Sequence, residues 1–118
     1  MPDVSSIPAG GSPGPSDRVR LARVARAATL GVAGVVTTDS GPGGLYVTAS
    51  GTERLDGIVC VAAHDGGYDI AVRLVAGLVP LPDLSERISA AIARAAATVG
   101  VPCSSITVHF SAIEPGDL

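Results

Sequence analysis

The sequence predicts a two-layer α+β domain in which two helices pack on one face of a mixed β-sheet. Three observations predict this fold: a helical pattern near the start of the chain, a long alternating strand in its middle, and a second helical pattern followed by another strand. Strand, helix and strand in succession favour a parallel crossover with the helices layered on the sheet. The predicted element order is α-β-β-β-β-α-β.

Length and composition indicate one domain. The chain has 118 residues, of which 47% are apolar and only 3% aromatic, so the core must be built from Val, Leu, Ile and Ala. Residues 1–16 hold four Pro, three Gly and four Ser without periodicity, which predicts a disordered arm that is not a signal peptide. Residues 17–115 are therefore predicted to form the folded domain.

The first helix is predicted from Asp17 to Thr29, with Ser16 as its N-cap. At helical periodicity its apolar positions fall on one side and its arginines on the other. The inner face comprises Leu21, Val24, Ala25 and Ala28, and the outer face comprises Arg18, Arg20, Arg23 and Arg26.

Three short strands are predicted next, at 32–37, 45–50 and 58–63. The Gly-rich stretches 39–44 and 64–67 are predicted turns. Glu53, Asp56 and Asp65 lie in or near turns, where we expect solvated acids with no evident partner.

The fourth predicted strand, 68–78, has the clearest alternation in the chain. One face is predicted to belong to the core: Tyr68, Ile70, Val72, Leu74, Ala76 and Leu78. The other face is predicted to be partly exposed: Asp69, Ala71, Arg73, Val75 and Gly77.

A second helix is predicted to follow, because Pro80 and Pro82 each remove a backbone donor from the strand and Pro82 suits a first helical turn. Asp83 and Arg87 are spaced for an ion pair, and Gly100 ends the helix. The core stripe of the helix is Leu81, Leu84, Ile88, Ala91, Ile92, Ala95 and Val99. The last strand places Ile106, Val108, Phe110 and Ala112 on one side and Ser105, Thr107, His109 and Ser111 on the other.

The layout of these segments resembles a known family. Residues 72–113, VRLVAGLVPLPDLSERISAAIARAAATVGVPCSSITVHFSAI, combine a strand, a hydrophobic-Pro-hydrophobic-Pro-acidic helix start, an Ala-rich helix and a strand. Residues 22–35, ARVARAATLGVAGV, form a helix that ends before a Gly-Val-Ala-Gly turn. Together they resemble, over roughly residues 17–115, the alkaline shock protein 23 family, also called the general stress protein 24 family, of bacterial envelope-stress proteins.

The resemblance implies a non-catalytic scaffold of the envelope stress response, without an active site or a cofactor. It implies a small cytoplasmic protein that self-associates or binds a paralogue. In some members of the family a membrane-anchored protein recruits such a chain to the cell membrane. The identity of that partner stays open.

Two surfaces are candidates for such association. The first is a strip of small residues on the second helix, opposite its core stripe, which another helix could approach closely: Ala90, Ala93 and Ala97. The second is the outer face of the sheet, which is apolar for a wet surface: Ala71, Arg73, Val75, Thr107 and His109.

The arginines of the first helix offer an alternative function, the binding of nucleic acid or of another phosphate-bearing anion. The residues that would bind the phosphates are Arg18, Arg20, Arg23 and Arg26. The whole chain, however, has 8 basic residues against 11 acidic ones, for a net charge of −3. Nucleic-acid modules are usually strongly basic and often supply stacking aromatics, so the composition favours a solvated helix face.

No catalytic, cofactor or metal site is predicted. Cys60, Cys103, His64 and His109 lack the paired spacing of a metal site, and Cys60 falls on the inward side of its strand. No stretch approaches the roughly 20 apolar residues of a membrane span. We therefore expect a protein that neither catalyses a reaction nor crosses a membrane.

Overall fold

The structure is a computed structural model, and it describes residues 15–115. It confirms the predicted fold class, with two helices packed against a mixed sheet and the predicted elements in the predicted order. One short additional strand, Glu53–Asp56, lies where we expected a turn. The elements are α1 (Pro15–Leu30), β1 (Val35–Thr38), a 3-10 helix (Pro42–Gly44), β2 (Val47–Ser50), β3 (Glu53–Asp56), β4 (Ile58–Ala62), β5 (Tyr68–Ala76), α2 (Leu81–Val99) and β6 (Cys103–Ile113).

Strand β5 is the centre of the main sheet. On one side its first half pairs antiparallel with β4 and its last residues pair antiparallel with β1. The two partners meet at Arg73, whose N–H donates to the carbonyl of Gly57 at 2.9 Å and whose carbonyl accepts the N–H of Asp39 at 2.9 Å. On its other side β5 pairs with β6 in parallel, as the predicted crossover requires. Within residues 15–115, β5 is therefore paired along both edges and β6 along only one.

The core lies between β5 and the two helices. Alternate residues of β5 are buried as predicted, from Tyr68 to Ala76. Leu78 does not follow them, since the strand ends at Ala76 and the Leu78 side chain is 67% exposed. The largest side chains that fill the core are Leu21 from α1, Leu84, Ile88 and Ile92 from α2, and Ile58, Ile70, Val72 and Leu74 from the sheet.

Helix α2 begins and ends as its sequence predicts, to within one residue. Leu84 donates its N–H to the carbonyl of Pro80 at 3.0 Å, and Asp83 and Arg87 form the expected ion pair at 3.0 Å. Gly100 ends the helix in a left-handed conformation at φ 71°, where glycine has no Cβ to clash. Its N–H donates to the carbonyl of Ala97 at 3.2 Å.

Helix α1 begins earlier than predicted. It starts at Pro15, so Ser16 lies within the first turn instead of preceding it as an N-cap. The predicted arm therefore loses its last two residues to the helix, and the rest of that arm lies outside the described residues. The buried face of α1 contains the predicted Leu21 and Ala25, whereas the predicted Val24 and Ala28 are only half-buried. Three further buried residues were not predicted: Val19, Ala22 and Thr29.

The last strand contains an irregularity that corrects another prediction. Leu74 of β5 lies opposite Phe110, but its neighbour Val75 lies opposite Ala112, so Ser111 is an extra residue in β6. Such a bulge reverses the alternation beyond it. Ala112 is consequently exposed beside Val75, where we expected it on the same inward side as Phe110.

Candidate interaction surfaces

The outer face of the sheet, on the side away from the helices, brings the predicted residues together. Ala71 is opposite Thr107 and Arg73 is opposite His109 in the parallel pairing of β5 with β6. Val75 lies one step further along β5 on the same face. Of these five residues Thr107 is exposed and the other four are half-buried, so this face is only partly open to water.

The centre of this face is a packed cluster that includes two residues the sequence analysis did not single out. The Arg73 guanidinium lies 5.7 Å from the centre of the Tyr46 ring, and its Nε donates to Asp39 Oδ2 at 3.3 Å. The Tyr46 and His109 rings make an edge-to-face contact, with their centres 5.5 Å apart and their planes at 67°. We call Asp39, Tyr46, Arg73 and His109 the outer-face cluster.

A Gly-rich loop between β1 and β2 positions Tyr46 and Asp39 in this cluster. Asp39 Oδ1 accepts the N–H of Gly41 at 3.2 Å, and Tyr46 donates its own N–H to the carbonyl of Ser40 at 2.8 Å. Gly41 has a positive φ of 74°, and a Cβ there would lie 3.0 Å from the Arg73 side chain. Glycine adopts this conformation without strain and leaves room for the Arg73 side chain, which favours closure of the loop onto Arg73.

The same contacts stabilise the ionised form of Asp39. The Gly41 N–H, the Ser111 hydroxyl and the Arg73 guanidinium together hold the pKa of the Asp39 carboxyl below its usual value. Hydrogen bonds to a carboxylate and a nearby positive charge both favour its charged form. The cluster is thus an ion pair supported by an aromatic ring.

The second predicted surface lies on α2. Ala90, Ala93 and Ala97 are all exposed. Ala93 and Ala97 line a groove of about 470 Å³ between α2 and β6, whose other wall includes Cys103 and Ile106, whereas Ala90 is not part of its lining. Two members of the predicted strip thus border this groove.

The groove lies beside the start of β6, at residues 103–106, and this strand has an open edge, meaning an edge that carries no partner strand within residues 15–115. The strand has 11 residues and contains no Asp, Glu, Lys, Arg or Pro. Its inward side chains Ile106, Val108 and Phe110 pack on the core but stay half-buried. Sequence analysis predicted this strand but not that it would lie at an edge, because sheet order depends on long-range pairing.

Three of the four predicted phosphate-binding arginines have acceptors within the protein. Arg23 forms two hydrogen bonds with the Glu53 carboxylate, at 2.7 and 3.1 Å, which raise the pKa of Arg23 and lower that of Glu53. Arg20 bonds the carbonyl of Val99 at 2.9 Å and also pairs with the Asp17 carboxylate. These contacts join α1 to the β2–β3 hairpin and to the end of α2.

Arg26 and Arg18 are the other two predicted phosphate-binding arginines. Arg26 donates from Nε to the carbonyl of Asp56 at 3.0 Å, and Arg18 is half-buried. The predicted turn acids are likewise engaged: Glu53 with Arg23, Asp56 with Arg54 at 2.8 Å, and Asp65 with the Ser104 hydroxyl at 2.5 Å. Our expectation that these acids lack partners was therefore wrong.

The cysteines and histidines occupy separate places. Cys60 is buried as predicted, and burial raises the pKa of its thiol to about 12. Cys103 is half-buried, and burial raises the pKa of this thiol as well. His64 is exposed in a turn. No group of three His, Cys, Asp or Glu side chains within residues 15–115 is arranged to hold a metal ion.

No family model, curated protein or solved structure matches this chain. Functional inference therefore rests on the geometry described above and on the sequence pattern. Neither helix in the described part of the chain has the length and apolar character that a membrane crossing requires.

Proposed function

We propose that this protein is a non-catalytic scaffold of the envelope stress response type, which acts by associating with copies of itself or with a membrane-anchored protein. The observation that carries the proposal is the open edge of β6, bordered by the groove against α2. The cytoplasmic location, with recruitment to the membrane through a partner, belongs to the same proposal and comes from the family resemblance.

An open strand edge is a binding feature because its unpaired N–H and C=O groups can accept another strand. Proteins that must stay monomeric guard such edges with charged side chains, proline or very short strands. Strand β6 has 11 residues and no charged residue or proline, and its two register irregularities lie near its ends, at Ser104 and Ser111. The regular stretch between them, from Ser105 to Phe110, is therefore suited to strand addition.

The outer-face cluster supports a second contact, with a different partner. Tyr and Arg are enriched in protein interfaces, because they combine a large contact area with hydrogen-bonding groups. Tyr46 and Arg73 are held by each other and by Asp39, so little side-chain freedom remains to be lost on binding. This is the surface on which we place binding of the anchored partner.

The alternative function, phosphate binding by α1, gains no support from the contacts of its arginines. Arg20, Arg23 and Arg26 would each have to exchange an internal acceptor for a phosphate. Binding of an oligonucleotide that weakens steeply with salt, and is lost when these three arginines are changed to Gln, would establish the alternative instead.

The solution mass of the purified protein tests self-association. Light scattering over a wide concentration range is expected to give a multiple of the 11.6 kDa chain mass. Because the β6 edge and the groove carry no formal charge, the mass is expected to be similar at low and moderate salt. A mass of one chain at every concentration would contradict self-association.

A further inference from the structure

The groove at the start of β6 lies next to a strand edge that can bind backbone groups. Its lining includes Val101 and Ile106, together with the half-buried Cys103. The β6 edge beside it carries no partner strand within residues 15–115. An added strand can pair with such an edge while one of its side chains enters the neighbouring pocket. The site therefore suits a short extended segment that contains an apolar residue.

Two carboxylates lie where the groove meets β6, and they restrict what can bind there. Asp65 accepts a hydrogen bond from the Ser104 hydroxyl, and Asp69 accepts one from the Ser105 hydroxyl at 2.7 Å. If two copies met at this place across a two-fold axis, four carboxylates would lie close together, which is unfavourable. A bound segment with little negative charge avoids this repulsion.

The residues that precede α1 contain such a segment. Residues 3–9, DVSSIPA, include the apolar Val4 and Ile7 and carry a single charge, on Asp3. Residues 10–14, GGSPG, follow them and have the composition of a flexible linker. The sequence thus places two branched apolar side chains one linker away from α1.

The start of α1 lies at the same end of the molecule as the groove. Arg20 of α1 donates to the carbonyl of Val99, the last residue of α2, at 2.9 Å. Burial and the nearby Asp17 carboxylate raise the pKa of Tyr68, which is paired in the sheet with Cys103 at the groove. Residues 1–14 are therefore joined to the fold close to the groove.

The chain between Ile7 and α1 is long enough to bring this segment to β6. Residues 8–14 can extend over about 23 Å, whereas adjacent strands lie about 4.8 Å apart. A segment held by so short a linker has an effective concentration in the millimolar range. A contact with a dissociation constant of about 0.1 mM would then be about 90% occupied.

We infer that residues 4–7 add to the β6 edge of their own chain as a strand antiparallel to residues 105–110, with the Ile7 side chain in the groove. The antiparallel direction has two advantages. It places Ile7, the apolar residue nearest the linker, at the start of β6, where α1 also begins. It also places Asp3 at the far end of the contact, away from the two carboxylates beside the groove.

The thiol of Cys103 reports on the occupancy of the groove, because it lines the groove and is only half-buried. The test compares its alkylation by iodoacetamide at pH 8 in the full-chain wild type, Ile7→Asp and Ser12→Asp. Both variants add one carboxylate before α1, but only Ile7→Asp places it in the binding segment. Cys103 is expected to react about tenfold faster in Ile7→Asp than in the wild type, and Ser12→Asp is expected to match the wild type.

Two controls make this comparison interpretable. Tryptic cleavage at the arginines between the two cysteines separates the peptide of Cys103 from that of the buried Cys60. Neither substitution changes a residue of the folded region 15–115, and circular dichroism checks that this region stays folded in both variants.

Hydrogen exchange at the amides of residues 105–110 is a second readout. In the wild type these amides are expected to be protected to the same degree at every protein concentration, because the added strand belongs to the same chain. Their protection is expected to fall in Ile7→Asp.

The contact also regulates association, a consequence that rests on the proposed function. The segment and a second copy compete for the β6 edge, so a chain must release its own segment before it associates. Ile7→Asp is therefore expected to lower the dissociation constant for self-association by at least about tenfold, measured by light scattering.

Equal rates of Cys103 alkylation in the wild type and Ile7→Asp would overturn the inference. Equal acceleration in both variants would also overturn it, since the added charge alone would then explain the change. Protection of β6 that grows with protein concentration would mean that a second copy covers the edge, which contradicts the inference but supports the proposed function. Slow alkylation of wild-type Cys103 in chains that stay monomeric, with faster reaction only in Ile7→Asp, would support the inference and contradict self-association.

Discussion

Arg73 and Asp39 form an ion pair on the outer face of the sheet, with Nε 3.3 Å from Oδ2, although 34 residues separate them in the sequence. The same two residues are joined through their backbones, because the Asp39 N–H donates to the Arg73 carbonyl at 2.9 Å. Arg73 is thus the point at which the end of β1, the Gly-rich loop and the central strand meet. Its side chain fixes the loop and its backbone fixes the strand.

Because of this ion pair, the stability of the folded protein is expected to decrease at acid pH. The pKa of Asp39 is lowered in the folded protein by the Gly41 N–H, the Ser111 hydroxyl and Arg73. Its carboxylate therefore stabilises the fold above the unfolded pKa of about 3.9, and this contribution is lost as the pH falls through the lower folded value. Asp39→Asn is expected to be less stable than the wild type at pH 7 and to converge with it at low pH, as measured by urea unfolding.

Arg73→Gln is the informative comparison for this measurement. It removes one stabilising contact of Asp39 but keeps the larger one from the Gly41 N–H. Its pH dependence is expected to lie between those of the wild type and Asp39→Asn. Parallel stability curves for the wild type and Asp39→Asn between pH 7 and pH 3 would contradict the assigned role of Asp39.

Gly57 lies at a backbone position where a side chain is expected to clash with its neighbours. It has a positive φ of 87°, and a Cβ there would lie 2.5 Å from Thr38 Cβ and 2.9 Å from the Arg73 carbonyl. Gly66 has almost the same φ, 89°, but opens onto empty space. Gly66→Ala is expected to cost about 1–2 kcal/mol for the left-handed conformation alone, and Gly57→Ala about 1–3 kcal/mol more for crowding.

Denaturant unfolding of the two glycine variants measures this difference. The matched φ values cancel the conformational cost, so the difference isolates the crowding where β1, β4 and β5 meet. Equal losses of unfolding free energy in the two variants would show that the junction can relax around a methyl group, contrary to the geometry.

Two leucines four residues apart are expected to differ strongly in their contribution to stability. Leu74 is fully buried in the central strand, whereas Leu78 is 67% exposed beyond its end. Leu74→Ala is expected to lower the free energy of unfolding by about 2–5 kcal/mol, because it leaves a cavity in the core. Leu78→Ala is expected to change it by about 0.5 kcal/mol or less. Thermal unfolding that ranks Leu78→Ala as the more damaging variant would contradict the described end of β5.

The Leu78 result also marks the boundary of what the sequence could predict. Helix α2 and the alternation of β5 were predicted correctly because their periodicity is local and strong. The alternation continues through Leu78 in the sequence, but the chain leaves the sheet at Gly77, whose N–H donates to the Gly34 carbonyl at 2.8 Å. That bond joins residues far apart in the chain, so no local pattern indicates it.

The remaining differences have the same physical origin. Strand β3 carries charged residues and forms only because it pairs with β2, from Val47–Asp56 to Ser50–Glu53. Tyr46 reaches the outer-face cluster because the preceding loop bends at glycines, and its direction depends on Arg73. Sequence analysis found Arg73 and His109 from strand alternation but could not find Asp39 or Tyr46, which lie outside any periodic element.

The thiol of Cys60 is expected to react only when the protein unfolds locally or globally. Burial raises its pKa from 9.0 to about 12, so the thiolate fraction at pH 8 falls roughly a thousandfold. The reagent must also reach a side chain that is only 4% exposed. In a Cys103→Ser background, alkylation of Cys60 by iodoacetamide at pH 8 is expected to be at least about a thousandfold slower than in urea.

The raised pKa of Cys60 contributes to the loss of stability at alkaline pH, as do the raised pKa values of Cys103 and Tyr68. Above about pH 9 the unfolded chain loses the thiol proton while the folded chain keeps it, so unfolding becomes more favourable as the pH rises toward about 12. Adding Cys60→Ala to the Cys103→Ser background removes the contribution of this thiol, so the unfolding free energy is expected to decline less between pH 8 and pH 10 than in Cys103→Ser alone. Rapid alkylation of the native thiol, or identical alkaline declines in the two variants, would mean that Cys60 is solvated and that β4 does not face the core at this position.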